Sequence, residues 1–334
     1  MLFRSGLVIR RLPASRRAVC PKPPESCQNR GMKIALVTAI AAFSLDEDLA
    51  PLQKALQALG VEAPILAWDD ASVSWQRFNA ALLRSPWDYT DCLPEFLAWA
   101  EATSRQTTLI NPLSVIRANT DKHYLAQRAA AGLAVVPSVF AEPGDDAAAA
   151  LVAFLDAYRD AADFVVKPAV GAGSRDAQRY GRDQVHEATR HIVRLLNAKR
   201  SVLMQPYLPS VDADGETALM FFDGVFSHAI RKGPLLQKDE GPTRALFAPE
   251  KITARTPGAD ELALATHILA ALPDGPLAYA RVDLIRAADG SPCLLELELT
   301  EPSLFFAFAE GSADRFALSL LRRVSRLPLR AVPL

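Results

Sequence analysis

Cysteine is scarce in this 334-residue chain, and Cys20, Cys27, Cys92 and Cys293 show no C-x-x-C or other metal-ligand spacing. That removes cysteine-based metal sites from consideration. With no secretory signal in view, it reads as reduced thiols in the cytoplasm. Long apolar runs are missing as well: half of the residues are hydrophobic, yet no stretch approaches the roughly 20 residues of a membrane span. A net charge of -1 leaves no basic footprint for nucleic acid. The five histidines, His123, His186, His191, His228 and His267, are scattered without ligand spacing, and no catalytic triad emerges. Glycine-rich nucleotide fingerprints are also incomplete. Gly171-Ala172-Gly173-Ser174-Arg175-Asp176 has Asp where G-x-G-x-x-G needs its third glycine, and no Gly-Lys-Ser/Thr follows, which disfavours a nicotinamide oxidoreductase and a P-loop.

What is present begins with a contrast. The first 31 residues carry seven Lys or Arg against one acid, Glu25, with Pro21, Pro23 and Pro24 close together. Met32-Lys33-Ile34-Ala35-Leu36-Val37 then opens like the first strand of an α/β unit. We expect 1-31 to be a disordered extension or a segment upstream of a true start at Met32.

The chain is organised around residues 277–299, LAYARVDLIRAADGSPCLLELEL. This reads as two strands joined at Asp289-Gly290, a dipeptide whose residues tolerate positive φ. A turn centred there pairs Ala288 with Ser291, which sets Asp283 opposite Glu296 and Arg281 opposite Glu298. A period of two sends Val282, Leu284, Leu295, Leu297 and Leu299 to the core face. Three carboxylates and one guanidinium then share a patch, and like charges directly opposite are destabilising. A cation between them is the reading with a function, and oxygen ligands favour Mg²⁺ or Mn²⁺. A solvated, charged sheet face is the alternative.

Elsewhere the pattern alternates strand and helix from Lys33 to Arg84, as in a small α/β unit with a parallel sheet. Ligands sit beyond the carboxyl ends of such strands, where Arg84-Ser85-Pro86-Trp87-Asp88-Tyr89 falls. Asn119-Thr120-Asp121-Lys122 reads as a helix opening, with Lys122 against the helix dipole and so a phosphate candidate. Phe164-Val165-Val166-Lys167-Pro168 is a strand that runs into the glycine-rich loop. Val202 to Tyr207 is another strand, and Asp223-Gly224 joins an antiparallel pair. Residues from Arg231 to Gly258, with Lys232, Lys238, Arg244 and Lys251, read as a cationic lid. A terminal helix spans Ser303 to Val324.

In this order the elements resemble the ATP-grasp superfamily, from Met32 to the C-terminus. The resemblance implies an α/β unit over 32-118, a small grasp subdomain over 119-200, and an α+β C-terminal subdomain over 201-334. It also implies ATP as nucleotide, with phosphates held by Lys122, Lys167 and the loop at Gly171, Gly173 and Ser174. Adenine would meet Gln205, Tyr207 and Leu208 with Leu295 beneath, and ribose would meet Glu216. Asp283, Glu296 and Glu298 would hold Mg²⁺, with Arg281 beside the transferring phosphoryl group. The last metal ligand is commonly Asn in such ligases and is Glu298 here.

The implied reaction is phosphorylation of a carboxylate and capture of the acyl phosphate by an amine, which needs no side-chain nucleophile. The segments RSPWDY, SHAIRKGP and LELELTEPSLF are similar to the glutathione-synthetase-like branch and, within it, to D-cycloserine-forming cyclo-ligases, which close O-ureido-serine. The leading expectation is a carboxylate-amine ligase on a small amino-acid-like substrate. An intramolecular cyclo-ligase and a non-catalytic nucleotide-binding module are the alternatives. Arg84, Asp88, His228 and Arg231 are the candidates for acceptor binding. Such enzymes are often homodimers.

Overall fold

The computed structural model describes residues 31–236, 241 and 251–327. The basic N-terminal segment, and Lys238 and Arg244 of the expected lid, lie outside the described residues. No helix among them is long and apolar enough to cross a membrane.

The first unit contains β1 (Ile34–Thr38), α1 (Leu49–Ala58), β2 (Ile65–Ala67), β3 (Ala80–Ser85), α2 (Leu93–Gln106) and β4 (Thr108–Ile110). Its strands pair in parallel in the order β2-β1-β3-β4. β1 and β3 are buried along their whole length, as continuous apolar runs in parallel sheets usually are. α1 buries Leu49, Leu52, Ala55 and Leu56, three or four residues apart and so on one stripe. Gly60, at φ +79°, carries the chain out of it.

Next come α3 (Leu113–Asn119) and α4 (Tyr124–Ala130). The expected helix opening at Asn119 is therefore corrected: Asn119 ends one helix, and Lys122 lies in the link before the next. The Lys122 backbone N–H donates to the Ala169 carbonyl at 3.0 Å, a long-range bond that local sequence signals do not reveal.

The middle unit holds β5 (Val139–Ala141), α5 (Ala147–Ala157), β6 (Asp163–Pro168), β7 (Gln178–Gly181), α6 (Val185–Asn197) and β8 (Val202–Pro206). Its sheet is antiparallel, in the order β5-β8-β6-β7. Asp146 caps α5 by accepting from the N–H groups of Ala148 and Ala149. α6 presents Ala188, Ile192, Leu195 and Leu196 to the same core as Phe164, Val166 and Met204. β8 thus hydrogen-bonds within this sheet, across the boundary expected at residue 200.

The last unit contains α7 (Ser210–Asp214), β9 (Glu216–Phe222), β10 (Val225–Lys232), β11 (Ile252–Arg255), α8 (Ala259–Ala270), β12 (Tyr279–Arg286), β13 (Pro292–Glu298) and α9 (Ser312–Ser325). The antiparallel order is β11-β10-β9-β12-β13. Arg231 and Lys232 therefore end a strand instead of opening a structureless lid. The final helix starts at Ser312, nine residues later than its apolar spacing implies. Phe305 (φ +52°) and Gly311 (φ +70°) stand in left-handed backbone, which a continuous right-handed helix does not include. Asp48 of the first unit holds this stretch by accepting from the backbone N–H groups of Leu304 (2.5 Å), Phe305 (3.0 Å) and Phe306 (2.9 Å).

First and last units share one core, in which Leu36, Leu52 and Leu56 meet Met220, Phe222, Tyr279 and Phe316. Asn111 adds a polar pin. Its side chain donates to the carbonyls of Tyr279 (2.9 Å) and Leu299 (2.8 Å) and accepts from the Ala278 N–H (2.9 Å). The mouth of the fold opens where the three sheets meet.

Candidate active site

The hairpin β12-β13 forms the floor. Arg281 pairs with Glu298 and Asp283 with Glu296, the register expected from the turn. The route to that register differs. Ala287 donates to the Ser291 carbonyl at 2.8 Å, so the loop holds three residues, Ala288, Asp289 and Gly290, instead of two. One residue is restored farther along, because Asp283 pairs with Glu296 while Leu284 pairs with Leu294. Leu295 is the extra residue of a β-bulge, and bulges re-aim side chains. It lines the cavity beside Glu296, while Leu294 takes its place in the core with Leu297 and Leu299. The expectation that Leu295 faces the same core as Leu297 is thereby corrected.

The cavity above this floor has an atom-free volume of about 1510 Å³, including the part open to solvent. Lys122, Lys167, Gly171, Gly173, Ser174, Gln205, Tyr207, Leu208, Glu216, Arg281, Leu295, Glu296 and Glu298 all line it. Asp283 lies just beneath, 1% exposed.

Cations and carboxylates interlock there. Arg281 Nε donates to Asp283 Oδ1 at 2.9 Å, and Arg281 Nη2 contacts Glu298. Lys232 Nζ donates to Asp283 Oδ2 at 2.6 Å, and Lys122 Nζ lies 2.8 Å from Glu296 Oε1. Burial raises the Asp283 pKa, but Arg281 and Lys232 outweigh it and hold the carboxyl below its ordinary value. Lys122 and Lys167 do the same for Glu296, again against burial. Glu298 goes the other way, pushed up to about 8 by burial and by the charges of Glu296 and Asp283, with Arg281 opposing. Burial lowers Lys167, and the neighbouring ammonium groups of Lys122 and Lys232 add to it. Among the described residues Lys167 has no ion-pair partner.

Lys122 also ties down the glycine-rich loop, donating from Nζ to the Gly171 carbonyl at 2.7 Å. That loop turns through left-handed backbone at Gly173, Ser174 and Asp176, and Asp176 is held by Arg194 (2.7 Å) and Arg200 (2.8 Å). The opposite wall is apolar. Tyr207 is braced there by the Arg179 guanidinium 3.6 Å above its ring and by its own hydroxyl donating to Asp212 at 2.6 Å.

Among the described residues, no group of three or more carboxylate, imidazole or thiol side chains is arranged to hold a metal ion. Asp283, Glu296 and Glu298 nevertheless fit a hard divalent ion in kind, since all three are carboxylate oxygen donors. The cations on them have to move for the ion to enter.

The acceptor candidates fall elsewhere. Arg84 is wholly buried, donating from Nη2 to the Pro302 carbonyl at 2.9 Å and lying 3.6 Å from Asp48. Asp88 accepts from Trp68 Nε1 at 2.8 Å. His228 Nε2 meets the Leu304 carbonyl at 2.8 Å, and Arg231 donates to the carbonyls of Asp214 (2.7 Å) and Ala213 (3.1 Å). None of the four lines the cavity. Instead Trp87, Tyr89, Glu301, Ser303 and Phe305 line it near the first unit, as does Lys232 farther in. Sequence reasoning placed Lys232 in a cationic lid and Tyr89 in a loop where ligands sit without giving either a role, and did not single out Glu301. For Lys232 a signal existed, since it stands opposite Glu216 in the β9-β10 register.

This fold superposes on the D-alanine–D-alanine ligase of Bacillus anthracis complexed with ATP, with a TM-score of 0.60 at 14% identity, covering 88% of this chain and 98% of the other. The fold is the ATP-grasp fold, and relatives 45% identical to the chain make it an ATP-dependent ligase that forms C–N bonds. Residues 34–111 match the family model described as D-cycloserine synthetase DcsG, N-terminal domain. Over 296 residues the chain is 45% identical to the cycloserine biosynthesis protein DcsG of Streptomyces lavendulae, spanning 87% of this chain and 98% of that protein. The crystal structure of D-cycloserine synthetase DcsG superposes with a TM-score of 0.83 at 45% identity, covering 87% of this chain and 99% of the other. The chain belongs to the D-cycloserine synthetase family of ATP-grasp ligases.

Proposed function

We propose that this protein is a Mg²⁺- and ATP-dependent cyclo-ligase. It phosphorylates the carboxylate of a small amino-acid-like substrate of the O-ureido-serine type and closes the resulting acyl phosphate on a nitrogen of the same molecule, releasing ADP and phosphate. The observation that carries this reading is the gathering of Lys122, Lys167, Lys232 and Arg281 against Asp283, Glu296 and Glu298 at one end of a cavity whose other wall is apolar.

In this reading adenine lies between Leu295 and the strand end Gln205 to Leu208, and Glu216 receives ribose. Lys122 and Lys167, with the N–H groups of the Gly171 to Ser174 loop, receive the phosphates. Lys232 is placed to join them. Asp283, Glu296 and Glu298 would hold Mg²⁺, which when bound supplies positive charge against the phosphoryl oxygens. Arg281 stands beside the same oxygens, and a preorganised guanidinium offsets charge that spreads in the transition state. The phosphorylated carboxylate is itself the electrophile, so no nucleophilic side chain is required. Identity to a cycloserine biosynthesis protein favours ring closure over joining two molecules.

The test is thermal melting with a non-hydrolysable ATP analogue, with and without Mg²⁺, followed by phosphate release and product mass with O-ureido-D-serine and with pairs of amino acids. A Mg²⁺-dependent rise in Tm and a cyclic product are expected. Absence of the rise would sink the nucleotide site. An open-chain amide from two amino acids would replace the cyclo-ligase with an intermolecular ligase.

A further inference from the structure

Glu301 lies outside the set that meets nucleotide and metal, yet it lines the same cavity at the end formed by the first unit. Tyr89, from the loop after β3, donates its hydroxyl to Glu301 Oε1 at 2.7 Å. Trp87 Nε1 donates to the Glu301 backbone carbonyl at 3.1 Å. Carboxylate and backbone are thus both fixed from a segment more than 200 residues away. The second oxygen, Oε2, has no hydrogen-bond partner among the described residues.

We propose that Glu301 is the proton acceptor for the nitrogen that attacks the activated carboxyl group, and that Tyr89 is its positioning residue. This rests on the acyl-phosphate reading above. As the C–N bond forms at the acyl carbon, the C–O bond to phosphate breaks and phosphate leaves with that electron pair. The N–H proton passes to Oε2, giving the amide and a protonated Glu301.

The charges around Glu301 suit the task. Burial, reinforced by the Glu296 carboxylate, brings its pKa up to about 7, while the Tyr89 hydrogen bond, Lys122 and Arg281 restrain the rise. A base is most effective when its pKa lies near the working pH. Beyond the pair, Arg175 lines the cavity but is engaged by Asp91 at 2.6 Å. Tyr89 itself stays a phenol, since burial and the carboxylates of Glu301, Glu298 and Glu296 drive its pKa far up.

The test uses the full chain with ATP, Mg²⁺ and O-ureido-D-serine, and compares ring closure with trapping by hydroxylamine. Hydroxylamine intercepts an acyl phosphate as a hydroxamate and, as a strong nucleophile of low basicity, depends little on a base. For Glu301→Gln we expect closure to fall by about 100-fold or more, trapping to stay near the parent rate, and the rise of closure with pH through about 7 to disappear. Tyr89→Phe should retain that rise but move it to higher pH, a change that loss of packing alone would not produce. Closure by Glu301→Gln within about threefold of the parent, or a Tyr89→Phe profile that does not move, would overturn the proposal. A parent enzyme that gives no hydroxamate would instead sink the acyl-phosphate reading, and the proposal with it.

Discussion

Lys122 Nζ lies 2.8 Å from Glu296 Oε1, so the ammonium assigned to phosphate and the carboxylate assigned to metal neutralise each other. Nucleotide with its metal would exchange this one pair for two. Glu296→Gln should leave the fold intact, because the cavity can solvate the freed Lys122, and should abolish ATP turnover. Circular dichroism and phosphate release check the two halves. Normal turnover in a folded variant would remove the metal assignment.

The bulge at Leu295 separates neighbours by role. Leu295→Ala should raise KM for ATP roughly thirtyfold, from about 2 kcal/mol of lost apolar contact, with little change in Tm. Leu294→Ala, one residue earlier and fully buried, should cost about 2–5 kcal/mol of stability instead. Strict alternation along the strand predicts the reverse, so melting and ATP titration of the two variants decide between them.

Lys232→Met leaves buried Asp283 with Arg281 and removes an ammonium from the phosphate end. We expect kcat/KM for ATP to fall on the order of 10²-fold. An unchanged value across an ATP titration would take Lys232 out of the site.

The raised carboxyls set a pH dependence of stability. Glu298 and Glu301 release their protons near 4.5 when unfolded but near 8 and 7 when folded. Between these limits the two carboxyls bind more protons in the folded chain than in the unfolded one, so their contribution to stability falls as pH rises from about 4.5 to about 8, while His191, lowered to about 4 by burial, opposes them below about 6.5. Melted without nucleotide or metal, the protein should lose on the order of a few degrees of Tm across that window. Glu298→Gln should flatten the slope, and an equally steep slope in that variant would contradict the assignment.

The floor of the site was legible because an Asp-Gly turn and alternating carboxylates constrain register locally. It came out right at Arg281 and Asp283 although the loop is one residue longer than expected, because the bulge at Leu295 compensates. Long-range bonds were not legible. Lys122 was placed in a helix because its partner carbonyl, on Ala169, is 47 residues away. Arg84 and His228 looked free to bind a substrate, but the Pro302 and Leu304 carbonyls claim them. Tyr89 and Glu301 stand in segments the resemblance drew on, RSPWDY and LELELTEPSLF, but neither shows that the two side chains pair, because they are 212 residues apart and pair only once the ends of the chain meet.

The clasp of Asp48 on the backbone of residues 304–306 gives that meeting a temporal meaning. The corner of the cavity where the substrate's nitrogen would lie is built from a loop near residue 88 and another near residue 302. A chain emerging from the ribosome completes its phosphate-facing lysines long before this corner. The floor of the site is made just as late, since Arg281, Asp283, Glu296 and Glu298 pair in β12 and β13 directly before that corner, so the cavity is completed as a whole only in the last stretch of synthesis.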